Sequence, residues 1–177
     1  MNVFILNTGR CGSTTFIKAC QHISNYTASH ESRANEIGEQ RLAYPDNHIE
    51  ADNRLSWLLG RLDKCYGDEA FYVHLGRVTA DVAASFVRRQ GFGIMKAYRE
   101  GILMGGQDKQ ESTAVARDYI ETIDSNIELF LRDKNNTMRF WLETAKTDFE
   151  LFWQQIGAEG DLQAALLEWD VAHNASS

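Results

Sequence analysis

The hydrophobic positions of this chain follow two patterns, short continuous runs and helical spacing. The runs at residues 3–7 and 70–75 are almost entirely apolar, as are strands that lie buried within a parallel sheet. Between and after these runs, apolar residues recur every three or four positions, which predicts helices. Because the predicted strands alternate with predicted helices, the pattern indicates an α/β fold with a central parallel sheet and helices on both faces.

The same pattern predicts where the individual elements lie. We expect strands at residues 3–7, 25–29, 70–75 and 137–142, and helices at residues 12–23, 51–65, 79–89, 112–132, 148–156 and 162–169. Residues 31–47 have little periodicity and hold the only proline, so we expect a loop and a short helix there. Residues 90–110 contain five glycines and are predicted to be the least regular part of the chain.

Size and charge restrict the class of protein. A chain of 177 residues is the size of one domain, and its net charge of −7 argues against a nucleic-acid surface. The sequence has no apolar run of about 18 residues that would span a membrane, and no basic segment precedes the first apolar run, so we expect a cytoplasmic protein.

The three cysteines lack paired spacing and predict neither a disulfide framework nor a zinc site. Residues 70–99 carry five basic side chains and one acidic one, which favours a small anionic ligand.

The segment NTGRCGSTTF, residues 7–16, connects the first predicted strand to the first predicted helix. Gly9 and Gly12 permit a tight turn and a close approach of the backbone to a ligand. Backbone N–H groups at the start of the helix would donate to anionic oxygens, and Arg10 adds a planar cation suited to phosphate-like groups. The hydroxyl groups that would add further donors are those of Ser13, Thr14 and Thr15. The alternative is a strand–turn–helix connection with a capping serine and no ligand.

Two other phosphate chemistries fit this loop less well. A cysteine-dependent phosphatase needs an arginine that closes the loop after the nucleophile, but the next basic residue after Cys11 is Lys18, inside the predicted helix. A kinase or GTPase loop has a lysine directly before its Ser or Thr, whereas Gly12 directly precedes Ser13. The loop therefore favours an anion that is bound without metal-assisted triphosphate chemistry.

The sequence GRCGSTTF resembles the 5′-phosphosulfate-binding loop of the sulfotransferases. Arg10 stands at the basic position of that loop, and Cys11 stands where a serine is usual. Gly12 takes the glycine position, and Ser13 and Thr14 take the hydroxyl positions. An arginine at the basic position is more similar to the bacterial and carbohydrate branches of the family than to the cytosolic aryl enzymes.

A second segment, FYVHLGRVTADVAASFVRR, carries the other half of the resemblance. In the family, an arginine after a strand and a serine eight positions later hold the 3′-phosphate of the cofactor, and Arg77 and Ser85 have this spacing. Val78 and Thr79 replace the usual Asp-Pro, and we expect Thr79 to cap the following helix. The basic residues Arg88 and Arg89 are interpreted as solvated charges.

The resemblance implies a P-loop-like three-layer fold, with residues 1–177 as a single domain, and a specific reaction. Sulfotransferases move a sulfuryl group from 3′-phosphoadenosine 5′-phosphosulfate (PAPS) to an acceptor hydroxyl or amine and leave adenosine 3′,5′-bisphosphate (PAP). Charge builds on the leaving phosphate oxygen, so the resemblance gives Arg10 a catalytic role as well as a binding one. A glutamate just after the second strand acts as base in several carbohydrate sulfotransferases. Glu31 matches that place, and His30 is the alternative base.

The acceptor is expected to be a small molecule or a saccharide that binds between residues 32–66 and 91–115. The candidates for contacts with it are Tyr44, Trp57, Tyr98 and Arg99. Two other functions stay open: a nucleotide-binding protein that retains the fold without transfer activity, and a kinase for a small metabolite. The missing loop lysine argues against the kinase.

Overall fold

The computed structural model describes residues 1–106 and 110–171. Its centre is a sheet of five parallel strands in the order β2-β3-β1-β4-β5. The strands are β1 (Val3–Leu6), β2 (Thr27–His30), β3 (His48–Ala51), β4 (Phe71–Gly76) and β5 (Thr137–Trp141). The α/β class and the parallel sheet predicted from the sequence are therefore confirmed.

The two central strands form because their side chains can be buried on both faces of the sheet. Every residue of β1 and of β4 is buried, and the two strands pair in register from Val3 with Phe71 to Leu6 with His74. Such continuous apolar runs are typical of strands that are covered on both sides.

The connections between the strands are mostly helical. The α-helices are α1 (Ser13–Cys20), α2 (Leu59–Tyr66), α3 (Thr79–Val87), α4 (Gly93–Ala97), α5 (Ser112–Leu131), α6 (Ala145–Gln155) and α7 (Leu162–Leu167). Short 3₁₀ turns lie at Gly38–Leu42, Asn53–Trp57, Leu142–Thr144 and Glu168–Asp170, and a π-helical turn lies at Tyr98–Ile102. Among the described helices, none is long and apolar enough to cross a membrane.

Aromatic side chains pack against both faces of the sheet. On one face, Phe16 of α1 contacts Phe140 of β5 and Phe152 of α6 at ring-centroid distances of 4.9 and 5.0 Å. On the other face, Tyr72 of β4 meets Phe130 of α5 edge to face at 5.1 Å. Two helical layers therefore enclose the sheet, as the sequence predicts.

Three local predictions differ from the structure. β3 occupies residues 48–50, for which no element was predicted, and the first residue of the predicted helix 51–65. The rest of that predicted helix is divided into a 3₁₀ turn and the shorter α2. Thr79 is the first residue of α3 and does not cap it; instead, Glu143 Oε1 accepts a hydrogen bond from the backbone N–H of Val78 at 2.9 Å. Of the predicted irregular segment 90–110, residues 107–109 lie outside the described part of the chain.

The strand order determines where a ligand can bind. β2 and β3 lie on one side of β1, and β4 and β5 lie on the other. The order in which strands are added to the sheet therefore changes direction at β1. In sheets of this type, ligands bind outside the carboxyl ends of the strands at the point of reversal. The loop after β1 lies at that point, and the ends of β2, β3 and β4 surround it.

Candidate functional site

The loop after β1 has an unusual backbone. Gly9, Arg10 and Gly12 all have positive φ, at 90°, 62° and 88°. The amide oxygen of Asn7 accepts a hydrogen bond from the N–H of Gly9 at 2.8 Å. A Cβ on Gly12 would lie 2.7 Å from Cδ1 of Leu142. This close approach, together with the left-handed backbone, accounts for glycine at this position.

Three contacts fix the loop from within the protein. The hydroxyl of Ser56 donates to the carbonyl of Asn7 at 3.1 Å, and the hydroxyl of Tyr119 donates to the carbonyl of Thr8 at 2.7 Å. The thiol of Cys11 is buried and donates to the carbonyl of Gly9 at 3.2 Å. These bonds satisfy carbonyls on the inner side of the loop and tie its backbone to the core.

Cys11 is a structural residue of this loop. Burial raises the pKa of its thiol to about 11, so the thiol is protonated at neutral pH and is a poor nucleophile. Its sulfur also lies 3.3 Å from the hydroxyl of Thr8. Cysteine at the position of the usual serine thus keeps a hydrogen bond within the loop.

The loop continues directly into α1. Gly12 is the N-cap, and its carbonyl accepts the first helical hydrogen bond from Phe16 at 2.9 Å. The first turn contains no acidic residue, so the positive end of the helix dipole is not offset by a nearby acid of that turn. Ser13 and Thr14 are partly exposed at this end, whereas Thr15 is buried.

The loop and the segment after β4 meet directly. The Nε of Arg10 donates to the hydroxyl of Ser85 at 2.8 Å, across 75 residues of sequence. Ser85 is only 3% exposed. Arg77 lies at the end of β4 and pairs with Asp81 one helical turn later at 3.3 Å. The structure therefore brings the two predicted binding segments together.

Positive charge gathers around Arg10. Burial, and then the guanidinium groups of Arg89, Arg88 and Arg77, lower the pKa of Arg10. Like charges repel one another, and a bound anion would offset that repulsion. The arrangement is suited to a ligand with more than one negative charge.

A cleft of about 520 Å³ opens beside the loop. It is lined by Gly9, Arg10, Ser13, Thr14, His30, Glu31, Asn53, Arg54, Phe86, Arg89, Phe92, Gly93, Ile94 and Met95. Five of the predicted site residues lie in this lining, and the predicted residues Cys11, Gly12, Thr15, Arg77 and Ser85 lie outside it. The volume is in the range typical of small-molecule sites.

The two candidate bases lie at the end of β2 within this cleft. His30 Nε2 lies 3.0 Å from the hydroxyl of Ser13. Glu31 has a positive φ of 53°, and its carboxylate pairs with Arg54 at 2.9 Å. Burial lowers the pKa of Arg54, but the carboxylates of Glu31 and Asp52 outweigh burial and raise it above its ordinary value.

Several lining residues were not predicted from the sequence. Arg89 lines the cleft, although its position at the end of an amphipathic helix suggests a solvated charge. Phe86 of the apolar wall was not predicted either, whereas Phe92, Ile94 and Met95 lie in the segment 91–115 that was expected to contribute to the acceptor pocket. Asn53 and Arg54 enter from the 3₁₀ turn after β3, and the only signal for them was that residues 32–66 were expected to contribute to the acceptor pocket.

The four aromatic and basic candidates for acceptor contacts are not among the described residues that line the cleft. Tyr44 stacks on His48 in the core at 5.5 Å, and the hydroxyl of Tyr98 donates to Asp118 at 2.5 Å. Trp57 lies 6.5 Å from the ring of Tyr119. Among the described residues, no group of three His, Cys, Asp or Glu side chains is arranged to hold a metal ion.

Comparison with solved structures gives an informative likeness. No family model matches the chain, and no curated protein matches it. Among solved structures, the chain is similar to a sulfotransferase domain from the curacin biosynthetic pathway, with a TM-score of 0.67 and 14% sequence identity. The match covers 97% of this chain and 78% of that domain. At this identity the likeness establishes a shared fold.

Proposed function

We propose that the protein is a sulfotransferase that moves a sulfuryl group from PAPS to a hydroxyl group of a small molecule or saccharide. The observation that carries the proposal is the gathering of Arg10, Arg77, Arg88 and Arg89 around a loop that begins a helix. The fold shared with a sulfotransferase domain supports it. The resemblance of the two segments that meet through Arg10 and Ser85 supports it as well.

The donors around the loop are of the types that PAPS would need. This compound carries a 5′-phosphosulfate and a separate 3′-phosphate, so it needs two groups of anion donors. The loop N–H groups, Arg10, Ser13 and Thr14 would hold the phosphosulfate, and Arg77 and Ser85 would hold the 3′-phosphate. Cys11, Gly12 and Thr15 would contribute through the backbone of the loop and of the first helical turn.

The residues of the cleft suit the two tasks of the reaction. PAPS supplies an activated sulfuryl group when it is bound. Arg10 and the donors at the start of α1 would stabilise negative charge on the leaving phosphate oxygen. Glu31 would accept the proton of the attacking hydroxyl, and His30 is the alternative base on the same edge of the cleft.

The pairing of Glu31 with Arg54 favours one alternative function. The Glu31 Oε2 atom pairs with Arg54 at 2.9 Å, so the carboxylate would take a proton on its other oxygen, and the same pair would also form if its role were purely structural. A protein that binds the nucleotide without transferring the sulfuryl group is therefore the second candidate. A kinase for a small metabolite is disfavoured because Gly12, and not a lysine, directly precedes Ser13.

Thermal unfolding with nucleotides tests the binding step. PAP without magnesium is expected to raise the midpoint of unfolding, and ATP with magnesium is expected to raise it little. Arg10→Ala and Arg77→Ala should each reduce the shift caused by PAP. Lys18→Ala, an exposed basic residue of α1, is the matched control. A preference for ATP with magnesium would overturn the proposal.

A screen of hydroxylated compounds with labelled PAPS tests the transfer step. The cleft combines an apolar wall with polar groups at Ser13, His30 and Glu31, so the screen should include phenols, aliphatic alcohols and saccharides. Transfer of label to any of them separates a sulfotransferase from a protein that only binds the nucleotide.

A further inference from the structure

Two buried carboxylates lie directly behind the edge of the cleft that holds Glu31. Glu50 is in β3 and Asp52 follows that strand, and both are 0% exposed. A buried carboxylate is costly unless partners satisfy it. The hydrogen-bond and ion-pair partners of Glu50 and Asp52 therefore show which parts of the protein the two carboxylates fix.

Glu50 holds the backbone next to Glu31. Its Oε1 accepts a hydrogen bond from the N–H of Ser32 at 2.9 Å, and its Oε2 accepts one from the Ser32 hydroxyl at 2.5 Å. The buried imidazole of His48 lies 3.1 Å from the same carboxylate. The residue directly after Glu31 is thereby fixed, at a point where the Glu31 backbone has the left-handed conformation.

Asp52 holds the side-chain partner of Glu31. One carboxylate oxygen is paired with the buried Arg41 at 2.5 Å, and the other accepts a hydrogen bond from the backbone N–H of Arg54 at 2.8 Å. The guanidinium of Arg54 then contacts Glu31 at 2.9 Å. Arg54 is thus fixed by its backbone to a buried anion while its side chain reaches the cleft.

We propose that Glu50 and Asp52 are positioning residues that together set the location of the Glu31 carboxylate. Glu50 acts through Ser32 on the backbone, and Asp52 acts through Arg54 on the side chain. Two anchors restrict Glu31 more than either alone, and a base works only when it is held close to its reactive geometry. The inference rests on the proposed function, in which Glu31 is the base.

A double-mutant cycle tests the Asp52 arm. The variants are Asp52→Asn, Arg54→Gln and the pair, with Arg132→Gln as a control at an exposed arginine. Turnover of labelled PAPS, with an acceptor from the screen or with water, should fall about tenfold in each single variant. PAP affinity should change less than threefold. Because Asp52 acts through Arg54, the double variant should be no slower than Arg54→Gln alone. Losses that multiply would overturn this arm.

A second variant tests the Glu50 arm while the Glu50 carboxylate itself stays in place. Ser32→Ala removes the hydroxyl of an exposed residue that donates to the buried Glu50. Ser125→Ala on α5 is the matched control. Turnover is expected to fall about threefold to tenfold in Ser32→Ala and to stay unchanged in Ser125→Ala. Unchanged turnover in Ser32→Ala, with Glu31→Gln inactive, would overturn the role of Glu50. This variant also keeps the inference testable if Asp52→Asn does not fold.

A measurement on the ligand-free protein supplies an independent readout. The ¹³C chemical shift of the Glu31 carboxyl should move in Asp52→Asn and Ser32→Ala, and it should not move in Arg132→Gln. A Glu31 signal that is unchanged in both variants would overturn the inference while PAP binding and transfer still stand. A protein that fails to bind PAP, or in which Glu31→Gln is fully active, would contradict the proposed function instead.

Discussion

The two sides of the cleft manage charge in opposite ways. On the side of Arg10, burial and then the neighbouring guanidinium groups lower the pKa of Arg10. On the side of Glu31, cation and anion are matched: Arg54 pairs with Glu31, and Asp52 pairs with Arg41. On the first side several cations lie near one another, and an anionic ligand would add an opposite charge there. On the second side each of these charges already faces an opposite one. The difference indicates that the Arg10 side is suited to binding an anion and the Glu31 side to positioning the Glu31 carboxylate.

The largest effect is expected from a substitution of Glu31. Glu31→Gln keeps the size of the side chain and removes its capacity to take a proton. Turnover of PAPS with an acceptor should fall about 10²–10⁴-fold, the usual contribution of a general base. PAP affinity, measured by calorimetry, should stay close to that of the wild type. Glu36→Gln, exposed in the same segment, is the control, and full activity of Glu31→Gln would remove Glu31 from the role.

The opposite side is tested at Arg10. Arg10→Ala should weaken PAP binding about tenfold to hundredfold, because a charge-assisted hydrogen bond contributes about 1.5–3 kcal/mol. The loss should shrink at high salt, since screening weakens the interaction in the wild type. Calorimetry at two salt concentrations measures both effects. Retention of wild-type affinity would show that the anion binds elsewhere.

The thiol beneath the loop gives a pH-dependent test. The pKa of Cys11 is raised from 9.0 to about 11 in the folded protein, so the unfolded chain loses this proton first as the pH rises. The contribution of the protonated thiol is complete below pH 9 and is lost as the pH approaches 11. The wild type should lose about 2–3 kcal/mol more than Cys11→Ala between pH 8 and pH 11.

Urea unfolding at several pH values measures this difference. Cys65→Ala is the control, because Cys65 is exposed, and it should follow the wild type. Equal losses in the wild type and in Cys11→Ala would mean that the thiol is not buried in the folded protein.

The smallest effect separates two neighbouring arginines. Arg89 lines the cleft, whereas Arg88 is exposed and lies outside the described lining. Arg89→Gln should weaken PAP binding about tenfold, and Arg88→Gln should weaken it less, since its effect is at longer range through solvent. Affinities measured side by side compare them, and a larger loss at Arg88 would contradict the assignment of the lining.

The parts of the site that the sequence predicts are those that depend on neighbours along the chain. The loop from Asn7 to Ser13 follows a buried strand and starts a helix, so its glycines and hydroxyl groups can be interpreted locally. Glu31 and His30 were placed at the cleft because they follow a strand. The resemblance assigns Arg77 and Ser85 to one phosphate, and this assignment stays a prediction: Ser85 contacts Arg10, and Arg77 pairs with Asp81.

The parts that were missed depend on distant partners. The strand β3 has the sequence HIEA, and its polar residues are buried because His48, Glu50 and Ser32 satisfy one another. No periodicity reveals such a strand. The turn before α3 is likewise closed by Glu143, 65 residues away, so a local interpretation assigned the cap to Thr79. Arg89 reaches the cleft only because α3 packs beside the loop.

The bond between Tyr119 and the carbonyl of Thr8 has a consequence for how the protein is made. It spans 111 residues, and Tyr119 lies midway along α5. A chain that is still being synthesised cannot form this bond until α5 has left the ribosome. Contacts so distant in sequence close late because of the entropy of the intervening loop. The loop is made 111 residues before its partner on α5, and it reaches its final form only after that helix has followed.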